Sequence, residues 1–417
     1  MRTALTTPPA PSAEQPTVLM MPSAPSVHQA LGSGATAPAR PLSGDHSHMQ
    51  RGLISMGLSW GLARLVADAD QRVALRVYVL DNSGSTAACD GKHLDVEGIG
   101  RGPRMVPCSR WEEIRRMAMQ QADMNSRLGI PSEFLLLNPP TRRGFAAFRE
   151  GSDFAIVDAK RGDVEGQLAA LEQMLQATRP HGPTPLADRL REVHHRLQHY
   201  YGHWADEGSQ FVVVVATDGL PTCPSSGVPS QEAQQEVTQV LRKLTAELPV
   251  FMVVRLTTDE DAVVQYYNRI DEEEELPLEV IDDIESEARE VAGNGNGWLT
   301  YSPLLHMIRE GGTFLKLLDA LDERALCAPE VQSLAASLLE HREEDAQLPN
   351  LIPVDLFNFA CKQLQGLSLV YDPISKRMVP CLQQRKLRRA LKVSRVAVWC
   401  SRGRQPKETS TAQFIVK

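Results

Sequence analysis

A chain of 417 residues, 42% of them hydrophobic and only 5% aromatic, is long enough for two or three domains and a sizeable core. Its formal net charge of −8 argues against a generally nucleic-acid-binding protein. Seven cysteines, widely spaced and with no Cys-x-x-Cys, exclude a disulfide framework and a structural zinc pattern; they suit free thiols in a reducing compartment.

Residues 1–50 are rich in Pro, Ala, Ser and Thr without apolar periodicity, so disorder is expected there. They carry no compact apolar stretch after basic residues, and no secretory signal is expected. His46 and His48 read as solvated polar residues. A short helix is expected over Leu53–Ala67, then a strand over Val73–Leu80. Gly and Pro dominate from Gly98 to Pro107. Ser109 and Glu112 have capping-box spacing and open a helix to about Leu128, with Trp111, Ile114 and Met117 on its apolar stripe. Strands are expected at Glu133–Leu137 and Asp153–Val157, joined as an edge hairpin across Pro139, Pro140 and Gly144. A helix covers Val164–Ala177, and a second starts at Pro185 and runs to about Tyr201.

Phe211 to Ala216 is an unbroken β-branched run, the signature of a central strand covered on both faces. It is far short of the roughly 18–20 residues of a membrane span. A helix over Gln231–Glu247 and a strand over Val250–Leu256 follow. Strands alternating with helices predict an α/β fold, a doubly wound and mostly parallel sheet. Beyond Thr257 the chain reads as mainly helical, with helices over 259–270, 278–292, 303–325 and 329–341 and a flexible Gly293–Gly297. Residues 259–290 hold 14 acidic and two basic residues, read mainly as a solvated surface. Residues 376–408 hold 11 basic and one acidic, with a basic helix around Arg385–Lys392. The expected divisions are 1–50, 51–257, 258–345 and 346–417.

Three loops put oxygen-bearing side chains at one edge of this sheet. Asp81, Ser83 and Ser85 follow the first strand. Thr184 lies before a helix, and Asp218 follows the valine-rich strand. In open α/β sheets, ligands bind outside the carboxyl ends of the strands. An oxygen-only set suits a hard cation, Mg²⁺ above all, with Mn²⁺ or Ca²⁺ as alternatives. Asn82 and Gly84 have supporting roles at most.

Over residues 70–257 this pattern resembles the von Willebrand factor type A family, in its intracellular form. Asp81-x-Ser83-x-Ser85, Thr184 and Asp218 match its metal-ion-dependent adhesion motif in order and spacing. The resemblance implies a Rossmann-like fold. It also implies that Ser83, Ser85 and Thr184 bind the ion directly, with Asp81 and Asp218 acting partly through water. Neutral hydroxyls leave the ion's charge poorly neutralised, so a partner's Asp or Glu would complete both charge and coordination.

The expected function is therefore a metal-dependent protein-interaction module, an intracellular scaffold or adaptor rather than an enzyme. A metal-dependent hydrolase or phosphatase would need a general base near the ion. Asp188 and His181 are close in sequence but read as helix surface and loop. A third reading is a subunit of a larger chelatase-type or nucleic-acid assembly, which the basic tail would suit. That tail is expected to dock on the acidic 259–290 block, with nucleic acid the weaker alternative. His195, His199 and His203 recur every four residues but lack a completing ligand, so a solvated helix face is expected. The expected location is cytoplasmic, with the nucleus as the alternative.

Overall fold

A computed structural model of the chain describes residues 46–95, 103–140, 149–206, 208–223, 226–274, 276–363 and 369–394. The disorder expected for 1–45, and the basic tail beyond Ser394, lie outside the described residues.

The first expected helix is two. α1 (His46–Ser55) reaches back into the stretch expected to be disordered, and α2 (Trp60–Asp70) follows it. Gly57 breaks them with φ at +99°, a conformation most side chains avoid. Ser59 then caps α2 by accepting a hydrogen bond from the Leu62 amide. β1 (Val73–Leu80) is buried throughout, as its apolar run requires. Two strands the sequence did not announce, β2 (Gly91–Asp95) and β3 (Arg104–Cys108), flank the Gly/Pro-rich stretch and pair as an antiparallel ribbon.

α3 (Arg110–Leu128) begins where Ser109 accepts the Glu112 amide hydrogen bond, and it ends on Gly129 in the left-handed region. The reciprocal half of the predicted capping box is replaced: the Glu112 carboxylate pairs with Arg115 and Arg116. β4 (Ser132–Leu136) and β5 (Phe154–Val157) form the expected edge hairpin. α4 (Val164–Ala177), α5 (Leu186–Asp206), β6 (Gln210–Thr217), α6 (Gln231–Glu247) and β7 (Val250–Leu256) follow, close to the predicted bounds. After α7 (Asp261–Glu274) the expected helix over 278–292 is instead strand β8 (Leu278–Ile281) and helix α8 (Ile284–Val291). Buried Leu278 and Ile281 pair beside β7, and Asp283 caps α8 through the Glu285 amide.

Gly293–Gly297, expected to be flexible, continues α8 as a wide turn held by buried Asn296, whose amide donates to the Leu321 and Arg324 carbonyls. α9 (Pro303–Glu310), α10 (Lys316–Glu323), α11 (Ala328–Leu339) and α12 (Pro353–Gln363) come next. A hairpin the sequence did not announce, β9 (Leu369–Asp372) with β10 (Arg377–Pro380), precedes α13 (Gln384–Ala390).

The central sheet has six strands in the order β5-β4-β1-β6-β7-β8, all parallel except β5. Alternation along each strand divides the core. Tyr78, Leu80, Phe134, Val212 and Val214 pack toward α2, α3 and the helices after residue 297. Val77, Val79, Leu135, Val213 and Val215 pack toward α5, α6 and α7. On the first face two arginines are buried within ion pairs, which their desolvation demands. Arg76 bonds Asp70, Asn125 and Thr313, and Arg255 bonds Glu113 and Glu310. Among the described residues no helix is long and apolar enough to cross a membrane.

Candidate metal site at the carboxyl edge of the sheet

From β1 the chain passes by α3 to β4 on one side, and β6 lies on the other. The carboxyl end of β1 is thus the point where strand order reverses, the usual ligand position in an open α/β sheet. Leu80 lies beside Ala216 in register, and the Asp81 amide donates to the Ala216 carbonyl at 2.9 Å. The loops after β1 and β6 are therefore neighbours, as the sequence predicts.

Four of the five predicted ligands form one hydrogen-bonded chain. The Ser83 amide donates to Asp81 Oδ1 at 2.8 Å. Ser83 Oγ and Ser85 Oγ lie 3.0 Å apart, and Ser85 Oγ donates to Asp218 Oδ1 at 2.9 Å. Thr184 comes in from the opposite loop. A β-carbon on Gly219 would stand 3.7 Å from Thr184 Oγ1 and 3.9 Å from Ser85 Oγ, so both hydroxyls border the Asp218 loop. Asp81, Ser83, Thr184 and Asp218 are buried, while Ser85 is exposed and opens the group to solvent.

Further bonds come from Thr217, Thr222 and Asn138, which the sequence did not flag, and from Asn82. Thr217 Oγ1 donates to Asp81 Oδ2 at 2.6 Å. Thr222 Oγ1 accepts from the Thr184 amide at 2.8 Å. The Asn82 side chain donates to the Asn138 carbonyl at 2.9 Å and accepts from the Asn138 amide at 2.7 Å, and the Asn138 side chain donates to the carbonyls of His181 and Pro183. Glycine is required in this framework at Gly182, with φ at +78° against Asn138. Gly84 has an ordinary φ, and a β-carbon there would meet the Gly182 carbonyl at an ordinary 3.6 Å, so it makes no such demand.

Electrostatically the site is short of positive charge. Burial raises the Asp81 carboxyl to about 6, with the neighbouring Asp218 carboxylate adding to the effect. Burial also raises Asp218. Arg110 meets Asp218 alone of this pair, with Nη1 3.1 Å from Oδ2. Its other nitrogens bond Asp90 at 2.7 Å and Glu260 at 3.2 Å. The sequence offered one signal for this residue: a cation in the first turn of a helix opposes the helix dipole and needs a reason to be there.

The donors suit a hard divalent cation. All are oxygens, two belong to buried carboxylates disfavoured as anions, and three are hydroxyls that leave room for water or an outside ligand. Asp188 and His181 are turned to other partners: Asp188 is exposed and pairs with Arg191, and His181 bonds the Arg179 carbonyl. His195, His199 and His203 lie exposed along α5, the first two stacked, as the solvated-face reading expects.

Beside Arg110 a cleft of about 1030 Å³ opens between β2, α3, the loop after β7 and α9. Met105, Met117, Ile284 and Met307 give it an apolar floor. His306 borders it, buried, its pKa driven well below the ordinary value by burial and by Arg255 and Arg309.

A second acidic group lies farther along the sheet. Carboxylate oxygens of Glu287, Glu290 and Asp322 fall within 4.8 Å of one another. Arg309 occupies this neighbourhood, bonding Glu279, Glu287 and Asp322 at 2.6–3.0 Å. Part of the block expected to be solvated is therefore buried and paired. Compared with known proteins, the chain matches no family model and no curated protein.

Proposed function

We propose that this chain is a metal-ion-dependent protein-interaction module of the von Willebrand factor A kind. Mg²⁺ would be held by Ser83, Ser85 and Thr184, with Asp81 and Asp218 behind them, and the ion would supply a coordination position for a partner's Asp or Glu. Mn²⁺ or Ca²⁺ are alternatives to Mg²⁺. One observation carries the reading: Asp81 and Asp218 are buried together at the switch point of the sheet, and the cation beside them touches only Asp218. A partly open set of hydroxyls in front of two such carboxylates is what an exchangeable carboxylate ligand needs. The cleft beside Arg110 would receive residues flanking the partner's carboxylate. The basic tail belongs to the same proposal as an intramolecular contact on the acidic block, supported by Lys376 Nζ lying 3.9 Å from Glu285 Oε2.

Affinity capture from a native extract, with wild type beside Asp81→Ala and with Mg²⁺ or EDTA, tests this. Partners should be retained only by wild type in Mg²⁺. Retention that survives both the substitution and EDTA would show that the ion is not the contact.

A further inference from the structure

Arg110 is an improbable residue for its position. As the first residue of α3 it faces the positive end of the helix dipole, where Asp or Glu is favoured. Its amide donates to the Ala88 carbonyl at 3.0 Å, which fixes the helix start to the end of the Ser83–Ser85 loop. Its guanidinium, 7% exposed, lies between buried Asp218 and the exposed carboxylates of Asp90 and Glu260. Asp90 grips the fork through two bonds of 2.7 Å and Glu260 through one of 3.2 Å; both acids face water, which screens their charge toward the buried side.

The inner charges can be counted. Asp81 and Asp218 contribute −2 and Arg110 +1, a site of −1. A divalent cation takes it to +1, and one carboxylate from outside takes it to neutral. Without Arg110 the same site runs from −2 to 0 on loading, and an incoming carboxylate would leave it at −1.

We infer that Arg110 is a specificity-determining residue of the ion site, weakening its hold on the bare ion and strengthening the loaded site's demand for a carboxylate. Ion and carboxylate then bind cooperatively, each raising the affinity for the other by the same factor. The inference rests on the proposed ion site, and it adds a direction that a purely structural role would not give. Breaking a merely structural ion pair next to the ligands loosens them and weakens the ion. Removing a repelling cation tightens it.

The experiment is calorimetric titration of Mg²⁺ into the full chain, in sodium acetate and in sodium chloride of equal ionic strength, with acetate as the carboxylate probe. Wild type should bind Mg²⁺ more tightly in acetate. Arg110→Met should bind Mg²⁺ about tenfold more tightly than wild type in chloride and lose the acetate effect. Arg110→Lys, which keeps the charge, should stay near wild type. Should Arg110→Met fail to fold, Arg110→Gln carries the same expectation while keeping a hydrogen-bond donor for Asp218. Equal or weaker Mg²⁺ binding by the neutral variant, with wild type binding normally, overturns the role of Arg110 and leaves the ion site standing. Wild type and Asp81→Ala both giving no Mg²⁺ heat overturns the ion site, and this inference with it.

Discussion

Asp81 with Asp218, and Glu279 with Glu287 and Asp322, are two groups of carboxylates withdrawn from water in the same molecule. Burying such groups costs several kcal/mol each unless a counter-charge is supplied. In the second group a counter-charge is covalently part of the chain: Arg309 bonds all three acids. In the first group Arg110 reaches only Oδ2 of Asp218, while hydroxyls meet Asp218 Oδ1 and Asp81 Oδ2. Proximity of carboxylates alone points to the cluster around Glu287. What separates them is whether the cation is already present, and whether neutral oxygens are set beside the acids to complete a shell.

The sharpest way to break this comparison is to remove the internal cation. Arg309→Met should destabilise the protein by about 3–5 kcal/mol, the usual cost of stranding buried charge, read from urea midpoints. A loss below about 1 kcal/mol would mean that Arg309 is not the counter-charge described. Asp81→Ala tests the other group. It should weaken Mg²⁺ binding at least about 100-fold, equal to roughly 2.7 kcal/mol, while Glu287→Gln leaves Mg²⁺ binding unchanged. The reverse pattern would place the ion in the Arg309 cluster.

A smaller effect comes from protons. Burial pushes Glu279 up to about 7, and Arg309 opposes this only in part. An unfolded glutamate titrates near 4.3. Between these values the folded protein holds a proton that the unfolded chain has released, so this group's contribution to stability falls as pH rises from about 4 to 7. Glu279→Gln should flatten that slope, by on the order of 2 kcal/mol across the window, in urea titrations at pH 4.5 and 7.5. An unchanged slope would reassign the pH dependence to other acids. The smallest effect is expected at the N-terminus of α3. Ser109→Ala should cost about 1 kcal/mol of stability and loosen the seat of Arg110, seen as faster amide exchange near Glu112.

Much of this was legible in the chain. Strands β1, β6 and β7 announced themselves by β-branched runs, and turn residues marked the loops between them. Adjacent strands then forced Asp81 and Asp218 together, and the Pro183–Pro185 turn gave Thr184 its approach. β8 was hidden because Leu278-Glu279-Val280-Ile281 sits inside an acidic run. The charge of Glu279 makes sense in a strand only once Arg309 is seen beside it, and Arg309 is 30 residues away. Arg110 was absorbed into a capping signal that explained Ser109 well and left the arginine unasked. Thr217 and Thr222 act through loop geometry that spacing alone does not encode.

Gly312 carries one more consequence. Its φ is +74°, and a β-carbon there would meet Val212 Cγ1 at 2.4 Å, so the bare backbone after α9 lies directly on the sheet. The helices beyond residue 297 share their apolar core with that face, and β8 supplies its outer strand. A chain cut after Leu256 would uncover Val212, Val214 and Val253 and leave β7 as an open edge, a surface prone to self-association. A fragment meant to carry the loops around Asp81 and Asp218 should therefore include the later helices, because they cover the sheet that holds those loops.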